Sequence, residues 1–287
     1  TERERLARGA GIFGRMAPHE KVELIETLEK SGRHVAMIGD GVNDVLAIKR
    51  AELGIAMGSG SPASKAVAGL ILEGDQFDRL PETLDEGRSI LRSLSRTAKL
   101  FLTKNVYAFI LIVAAYLGLG IPFPFVPQQV TLLNWSVIGI PALAIAASRQ
   151  RSARPLRGSV LAGPVWFAVR TGLVLGVLGV VLLGHMTHRT SDDPGRARTI
   201  FLAMLILSGI ATLHRALSDE DRVPLRFLLL GLLSVPVLLL AMYVPVFANF
   251  FELSALDVRD WMWAIDYALV GWLLALASDR LGRQSGA

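Results

Sequence analysis

Beyond Lys99 the chain carries six apolar stretches of roughly 20 residues, the length that an α-helix needs to cross the hydrocarbon core of a bilayer. The predicted spans cover roughly residues 100–120, 129–147, 163–184, 199–217, 226–247 and 261–279. Of the 287 residues 52% are hydrophobic, and more than half of the charged residues lie before residue 98. The first third is therefore predicted to be soluble and the rest to lie in a membrane. A single water-soluble enzyme, a disordered polyelectrolyte and a disulfide scaffold are excluded.

The net charge of +5 comes from basic residues between the apolar spans. The 148–159 loop carries Arg149, Arg151, Arg154 and Arg157 without an acid. By the positive-inside rule this loop, the 218–225 loop, the soluble third and the tail at 280–287 are all predicted to be cytoplasmic. The lipid bilayer is thus the expected partner and nucleic acid is not. Arg170 fits poorly inside the third span, which suggests that the span begins later.

The soluble third alternates between helical and strand-like segments. A helix is predicted from Pro18 to a stop at Ser31-Gly32, followed by a strand at residues 34–38, a helix at 43–51, a strand at 53–57 and a helix at 62–69. Strands that alternate with helices predict a parallel sheet covered on both faces. Residues 77–96 are charged but helical in period, and they run into the first span without a breaker after Pro81.

The segment MIGDGVND at residues 37–44 places carboxylates where a buried strand turns into a helix. Ligands bind at this carboxyl edge of parallel sheets. Asp40 and Asp44 suit Mg²⁺, which needs only one or two protein carboxylates, and Lys21 offers a positive charge for a phosphoryl group. The alternative is a surface turn, because Gly-Asp-Gly and Asn-Asp are common turn sequences.

The longer context resembles the phosphorylation-domain hinge of P-type ATPases, cation pumps of the haloacid dehalogenase superfamily. The resemblance rests on RMAPHEK at residues 15–21, MIGDGVND at 37–44 and AIKRAELGIAMGSG at 47–60, and the calcium-pump-like and related bacterial branch fits best. It implies a Rossmann-like α/β phosphorylation domain of haloacid dehalogenase type, present in part at residues 1–76. A stalk helix at 77–99, an all-α bundle of six transmembrane helices at 100–279 and a tail at 280–287 would follow. The expected location is a bacterial plasma membrane, with both termini cytoplasmic.

The resemblance also implies roles for individual residues. Asp40 would ligate Mg²⁺ with the help of Asn43 and Asp44, Lys21 would contact the phosphoryl oxygens, and Gly39 and Gly41 would permit the tight turn. In this family ATP phosphorylates an aspartate in a DKTGT motif, and no such motif occurs in the chain. We therefore expect a C-terminal part of a pump whose N-terminal part binds most of the ATP, and we expect the chain alone to be inactive.

The family places cation ligands on the first two of these spans, and Asn105 and Asn134 fall at positions similar to ligand asparagines of calcium pumps. Where those pumps carry acids this chain has Ala108 and the pair Val137-Ile138. At most one divalent site is then expected, completed by backbone carbonyls near Pro141, or else a less charged substrate. Both asparagines have an alternative role as polar groups that pack between membrane helices.

Other polar residues in or near the spans have ordinary explanations. Lys104 is expected to extend to the membrane surface, and Asp266 is expected at the interface beside aromatic residues. His185 and His188 could bind a metal, although such a spacing is more often accidental.

Two other functional classes stay open. One is a truncated, non-catalytic membrane protein that acts as a binding or structural partner. The other is a membrane-tethered phosphatase, which would need its own nucleophilic aspartate, and residues 1–20 contain no aspartate.

Overall fold

The computed structural model describes residues 9–118, 121–147, 160–190, 193–217 and 231–284, together with the single positions 5 and 229. The chain divides into two compact units, Thr1–Leu84 and Asp85–Ala287. The elements of the first unit are α1 (Pro18–Lys30), β1 (Ala36–Gly39), a 3₁₀ turn (Val42–Asp44), α2 (Val45–Arg50), β2 (Leu53–Met57), α3 (Pro62–Val67) and β3 (Leu70–Leu72).

The first unit is built on a parallel sheet in the order β1, β2, β3, with Ala36 beside Leu53 and Ile55 beside Leu70. Parallel neighbours need a crossover connection, which α2 and α3 supply. The α/β alternation that the sequence predicts is therefore confirmed. Ile48 of α2 and Ile55 of β2 are almost fully buried and form the centre of this small core.

Helix α1 begins and ends where the sequence signals indicate. Pro18 occupies the first turn, and a carboxylate oxygen of Glu20 accepts a hydrogen bond from the backbone N–H of Ala17 at 2.7 Å. Gly32 adopts a φ of +82°, a left-handed conformation that glycine adopts without strain and that stops the helix after Lys30.

The strand predictions are partly correct. The strand at residues 53–57 matches β2, whereas β1 lies at Ala36–Gly39, two residues later at its start than predicted. The helix predicted for 62–69 ends at Val67, because the backbone becomes extended at Ala68 and continues into β3. Strand β3 was not predicted, since a run of three apolar residues carries too little periodicity to be recognised.

The helices of the second part of the chain are α4 (Leu80–Tyr116), α5 (Pro127–Asn134), α6 (Ile140–Ala147), α7 (Ala162–Arg189), α8 (Pro194–Leu217), α9 (Ser234–Tyr243), α10 (Pro245–Phe250) and α11 (Val258–Gln284). Helix α8 packs against α7, α9 and α11 and is the most enclosed of them. Its residues Ile200, Phe201 and Met204 are at most 1% exposed. A helix that is apolar on all sides is expected in the centre of a bundle.

A buried arginine joins three of these helices. Arg215 of α8 donates to the Asp279 carboxylate of α11 at 2.7 Å and to the Thr171 hydroxyl of α7 at 3.1 Å. Its guanidinium also lies 4.9 Å from the ring centroid of Phe167. A buried charge is tolerated only when it is paired and hydrogen-bonded, and each of these contacts contributes to that.

Arg170, which fitted poorly inside the third predicted span, is part of helix α7. Its guanidinium donates to the backbone carbonyl of Ser278 in α11 at 3.1 Å and to that of Trp166 at 3.3 Å. These hydrogen bonds satisfy the guanidinium within α7, which begins at Ala162, so the helix itself does not start later. Where the membrane span begins along this helix stays a prediction.

Four helical segments of the described chain are long and apolar enough to cross a membrane: Phe77–Tyr116, Ala162–Arg189, Pro194–Leu217 and Val258–Arg280. The predicted second span is divided into α5, a π turn (Trp135–Gly139) and α6. The predicted fifth span begins in residues outside the described ranges and contains the ten-residue α9. The count of six spans therefore stays a prediction.

The π turn has a chemical cause at Pro141. Proline lacks an N–H, and its ring crowds the carbonyl four residues earlier, which belongs to Val137. The backbone widens just before this position, and the N–H of Ile140 donates to the carbonyl of Trp135, five residues back.

The arginine loop at 148–159 and the 218–225 loop lie outside the described residues. Helix α11 continues to Gln284, so the first residues of the predicted tail at 280–287 are helical, and residues 285–287 again lie outside. The predicted sidedness of these segments is not tested by the structure.

Glycines allow α7 to approach α4 closely. A Cβ atom on Gly172 would lie 2.5 Å from Cβ of Val106 and 3.1 Å from the carbonyl oxygen of Thr103. A Cβ atom on Gly176, one turn later, would lie 2.7 Å from Ile110. Small residues at this spacing let membrane helices pack backbone to backbone.

We therefore expect Gly172→Ala to destabilise the bundle although alanine favours helices. Overpacking typically costs about 1–3 kcal/mol, which exceeds the gain of at most ~1 kcal/mol in helix propensity. The matched control is Gly163→Ala in the same helix, where the added Cβ meets nothing within 4 Å. Thermal unfolding of the full chain in detergent should show a lower midpoint for Gly172→Ala than for Gly163→Ala, and equal midpoints would contradict the close packing.

Candidate functional site

Asp40 lies at the carboxyl edge of the sheet in the first unit. Strand β1 ends at Gly39, so Asp40 is the first residue beyond the strand, and it is exposed to solvent. Within the described part of the chain its carboxylate forms no hydrogen bond or ion pair. An open carboxylate at this edge is placed to bind a ligand that approaches from outside the sheet.

The backbone of Asp40 is held by residues that follow β2. The N–H of Ser61 donates to the carbonyl of Asp40 at 2.8 Å, and the Ser64 hydroxyl donates to the carbonyl of Gly41 at 2.8 Å. Ser64 is fully buried, and Ser61 also caps α3 by accepting a hydrogen bond from the N–H of Ser64 at 3.1 Å. Sequence reasoning missed both serines as positioning residues, although Ser61 before Pro62 is a recognisable helix start.

Two glycines leave room for this turn. A Cβ atom on Gly39 would lie 2.6 Å from Cβ of Asp44, and one on Gly60 would lie 3.1 Å from the carbonyl oxygen of Asp40. Both distances are shorter than Cβ contacts normally allow. Gly39 therefore admits the Asp44 side chain beside the strand, and Gly60 admits the backbone of Asp40.

Lys21 and Asp44, which are 23 residues apart in sequence, form an ion pair in the first unit. The Nζ of Lys21, on α1, lies 2.5 Å from Oδ1 of Asp44, whose side chain is 12% exposed. The second carboxylate oxygen of Asp44 accepts a weak hydrogen bond from the N–H of Gly41 at 3.4 Å. The predicted site residues Lys21, Asp44 and Gly41 are thus brought together next to Asp40.

The two carboxylates of this motif, those of Asp40 and Asp44, have different surroundings and therefore suit different roles. Asp44 is bonded to Lys21 and sits under the turn, while Asp40 and the exposed Asn43 face outward. In the described chain no group of three or more His, Asp or Glu side chains could enclose a metal ion. The donor set fits a Mg²⁺ ion that keeps several waters and shares a substrate phosphate, because such an ion needs only one or two carboxylates.

A further carboxylate stabilises the neighbouring loop. Asp75 accepts a hydrogen bond from the backbone N–H of Ser59 at 3.0 Å. This backbone hydrogen bond is the main reason why the pKa of Asp75 lies below its usual value. The contact holds the Gly58–Gly60 turn beside Asp40, and no local sequence signal predicts it.

Asn134, in the second unit, is the strongest candidate for a polar ligand inside the bundle. Its side-chain carbonyl oxygen is buried and has no hydrogen-bond partner in the described part of the chain. A buried acceptor without a protein partner costs about 1–3 kcal/mol, which makes this oxygen a candidate to bind water or an ion. Asn134 directly precedes the π turn, a feature that often occurs at functional sites.

Asn105 has a different environment from Asn134. It is exposed on α4, and the structure shows no hydrogen bond that joins it to Asn134 among the described residues. Other buried hydroxyls without a partner belong to Tyr107, Ser136 and Ser208. Sequence reasoning noted the first two as polar residues but missed Ser208. The carbonyl of Ser136, near Pro141, accepts a hydrogen bond from the Ser234 hydroxyl at 2.7 Å and is therefore already used.

The surroundings of the remaining polar residues are as follows. The His185 ring contacts the Trp263 ring in a tilted arrangement with ring centroids 4.7 Å apart, and His188 is exposed. Neither joins a group of three metal-ligating side chains within the described ranges. Asp266 is exposed on α11, and Lys104 is half-buried on α4.

Comparison with known families gives two matches, which cover separate regions of the chain. Residues 21–78 match the family described as haloacid dehalogenase-like hydrolase, and residues 122–281 match the family described as cation transporting ATPase, C-terminus. The first range contains Lys21, Asp40 and Asp44, and the second contains Asn134.

Two curated relatives are named as calcium-transporting ATPases. The chain is 44% identical over 212 residues to the calcium-transporting ATPase CtpE of Mycobacterium bovis, an alignment that covers 69% of this chain and 26% of that protein. It is 30% identical over 287 residues to a calcium-transporting ATPase of Bacillus subtilis, covering 95% of this chain and 32% of that protein. The chain thus spans between a quarter and a third of the length of these relatives.

The ion pair of Lys21 and Asp44 should be coupled energetically. Lys21→Met leaves a largely buried carboxylate without its partner, which we expect to cost about 1–3 kcal/mol of local stability. Lys21→Met combined with Asp44→Asn should cost less than the sum of the single changes, because the second change removes the charge that the first leaves unpaired. Hydrogen exchange of peptides from residues 36–50 in the full chain measures this. Lys30→Met, at the exposed end of the same helix, is the control, and additive effects would contradict the coupling.

Proposed function

Because the chain belongs to the P-type ATPase family of cation transporters, as a C-terminal portion of such a protein, we propose that it forms part of an ATP-driven cation pump. The observation that carries the proposal is the open carboxylate of Asp40 beside the Lys21–Asp44 pair at the carboxyl edge of a parallel sheet. Phosphoryl transfer depends on positioning and on stabilising charge, and this edge supplies both.

We propose separate roles for the charged residues at this edge. Asp40, with Asn43 beside it, would hold the Mg²⁺ ion, which neutralises charge on the transferring phosphoryl group when it is bound. Lys21 would place a positive charge near the phosphoryl oxygens. Asp44 would orient Lys21 through the ion pair at 2.5 Å. Gly39 and Gly41 would keep the turn tight enough to bring these groups together.

The nucleophile of the proposed reaction is not in the 287 residues, which contain no DKTGT motif. We propose that it belongs to another segment of the pump, together with most of the ATP-binding surface. The curated relatives are about three to four times as long as the matched region, which supports this division. The chain alone would then bind Mg²⁺ weakly and would not hydrolyse ATP.

Calcium is the transported ion that we propose, because the relatives from Mycobacterium bovis and Bacillus subtilis are named as calcium-transporting ATPases. Asn134 would contribute its unpartnered buried oxygen, and Asn105 would contribute from the exposed face of α4. With apolar Val137 and Ile138 and with Ala108 in place of acids, these helices would support at most one site. Helix α4 runs without a break from Leu80 to Tyr116, and we propose it as the element that couples phosphorylation to this site.

The proposed setting is a bacterial plasma membrane with both termini in the cytoplasm. The four long apolar helices support insertion in a bilayer. The arginines at 149–157 support the orientation through the positive-inside rule.

Asp40→Asn should abolish phosphorylation by ATP in the pump that contains this chain. Loss of about 3 kcal/mol of charge stabilisation would lower the rate about 100-fold. The measurement is acid-stable phosphoenzyme formed from radiolabelled ATP. Asp78→Asn, a change of an exposed acid in the same unit, serves as the control. Normal phosphoenzyme levels in Asp40→Asn would rule out the assignment.

The proposed cation site predicts which ion activates the pump. ATPase activity should be stimulated by Ca²⁺ more than by Mg²⁺, Mn²⁺ or K⁺. Asn134→Ala should raise the Ca²⁺ concentration for half-maximal activity about tenfold, since one lost ligand of ~1.4 kcal/mol has that effect. The control is Asn249→Ala on α10, which is exposed. An unchanged calcium requirement in Asn134→Ala would exclude this residue as a ligand.

A further inference from the structure

A cavity of about 480 Å³ lies at the end of the bundle where α7 ends and where α8 and α11 begin. Its lining includes three arginines, three aspartates and Trp263. The volume is in the range of small-molecule sites. The proposed pump reaction uses none of these residues.

Two of the aspartates, Asp257 and Asp260, share one arginine, Arg196. Arg196 donates to Asp260 at 2.8 Å and to Asp257 at 2.7 Å. Each aspartate also accepts a backbone hydrogen bond from the other, at 3.0 and 3.1 Å. The hydrogen bond from the Asp260 N–H is the largest reason why the pKa of Asp257 is lowered. These residues form a framework that joins the starts of α8 and α11.

The third aspartate of the lining, Asp193, is engaged by the first turn of α8 and does not form part of a metal site among the described residues. Asp193 accepts a hydrogen bond from the backbone N–H of Arg196 at 2.9 Å and caps α8. In the described ranges no three carboxylate or imidazole groups converge closely enough to hold a metal ion. The lining therefore does not favour a cation as the ligand.

Arg189 and Arg259 are the two arginines of the cavity lining whose guanidinium groups are accessible to a ligand. Both are exposed, and neither forms an ion pair within the part of the chain that the structure describes. The guanidinium of Arg189 lies 5.1 Å from the ring centroid of Trp263, whose ring also contacts His185. A cation–π contact of this kind uses none of the N–H donors of the guanidinium, and those donors suit phosphate oxygens.

The surroundings favour a lipid as the source of the phosphate. Helices α7, α8 and α11 are all long and apolar enough to cross a membrane, and all have an end at the cavity. The Trp263 and Tyr267 rings of α11 lie 6.3 Å apart, and Trp261 is one turn or less away along the same helix, an aromatic content that is typical of a membrane interface. On the same helix Met262 is 57% exposed and Leu269, two turns later, is 50% exposed, so α11 offers apolar surface to acyl chains.

We propose that Arg189 and Arg259 bind the phosphodiester of a membrane phospholipid in this cavity, with Trp263 as its aromatic wall and the acyl chains along α11. The ion-paired framework of Arg196, Asp257 and Asp260 keeps the two helix starts in place around the headgroup. The site is independent of the phosphorylation chemistry, so it exists whether or not the chain is part of an active pump.

Native mass spectrometry of the full chain in detergent tests the proposal. The probes are phosphatidylglycerol and diacylglycerol with the same oleoyl chains, which differ by the phosphate headgroup. We expect the wild-type chain to bind phosphatidylglycerol at least tenfold more tightly. Arg189→Gln combined with Arg259→Gln should remove this preference. Arg33→Gln combined with Arg280→Gln, which removes two exposed guanidiniums elsewhere, should retain it.

Three outcomes would overturn the proposal. Equal binding of the two lipids by the wild-type chain would show that the phosphate is not recognised, and this comparison needs no variant to fold. Retention of the preference by the Arg189 and Arg259 double variant would place the phosphate elsewhere. Displacement of phosphatidylglycerol by millimolar inorganic phosphate would identify free phosphate as the ligand and exclude the lipid.

Discussion

Every polar group that this chain buries needs a partner inside the protein, and that constraint shapes both units. In the first unit Asp44 is buried because Lys21 reaches it, and the carbonyls of Asp40 and Gly41 are held by Ser61 and Ser64. In the second unit the requirement is stricter, because lipid offers no hydrogen bonds. Arg215 is accordingly surrounded by partners on two other helices. The few buried oxygens that lack a partner in the described chain, above all that of Asn134, are therefore the places where a ligand is expected.

Glycine serves a different purpose in each of the two units. The first unit uses glycine where a side chain would block a turn, so that Gly39 makes room for the carboxylate of Asp44 and Gly60 for the backbone of Asp40. The second unit uses glycine where helices must approach closely, as at Gly172 beside Val106. At Pro141 a wider turn accommodates the missing N–H without ending the helical segment. Asn134 lies at the start of that wider turn.

The sequence predicted the local elements well and the contacts between distant elements poorly. Pro18 and Gly32 located α1, and the motif around Asp40 located the edge of the sheet, because these signals are local. The pairing of Lys21 with Asp44 and the support of Asp40 by Ser61 and Ser64 depend on strand order, which one sequence does not specify. The contact of Arg170 with Ser278, 108 residues away, depends instead on how α7 packs against α11, which one sequence does not specify either. Hydropathy indicated six spans, but it does not detect the π turn that divides the second one.

The role proposed for Asn134 is that its unpartnered side-chain oxygen binds the transported cation. Infrared difference spectra of the pump that contains this chain, with ¹³C-labelled asparagine, report directly on side-chain amide carbonyls. If Asn134 is a ligand, Ca²⁺ shifts an asparagine carbonyl band in the wild-type protein, and this shift is absent in Asn134→Ala. The same Ca²⁺-induced shift in both proteins would exclude this role, because the oxygen that binds the ion would then belong to another residue.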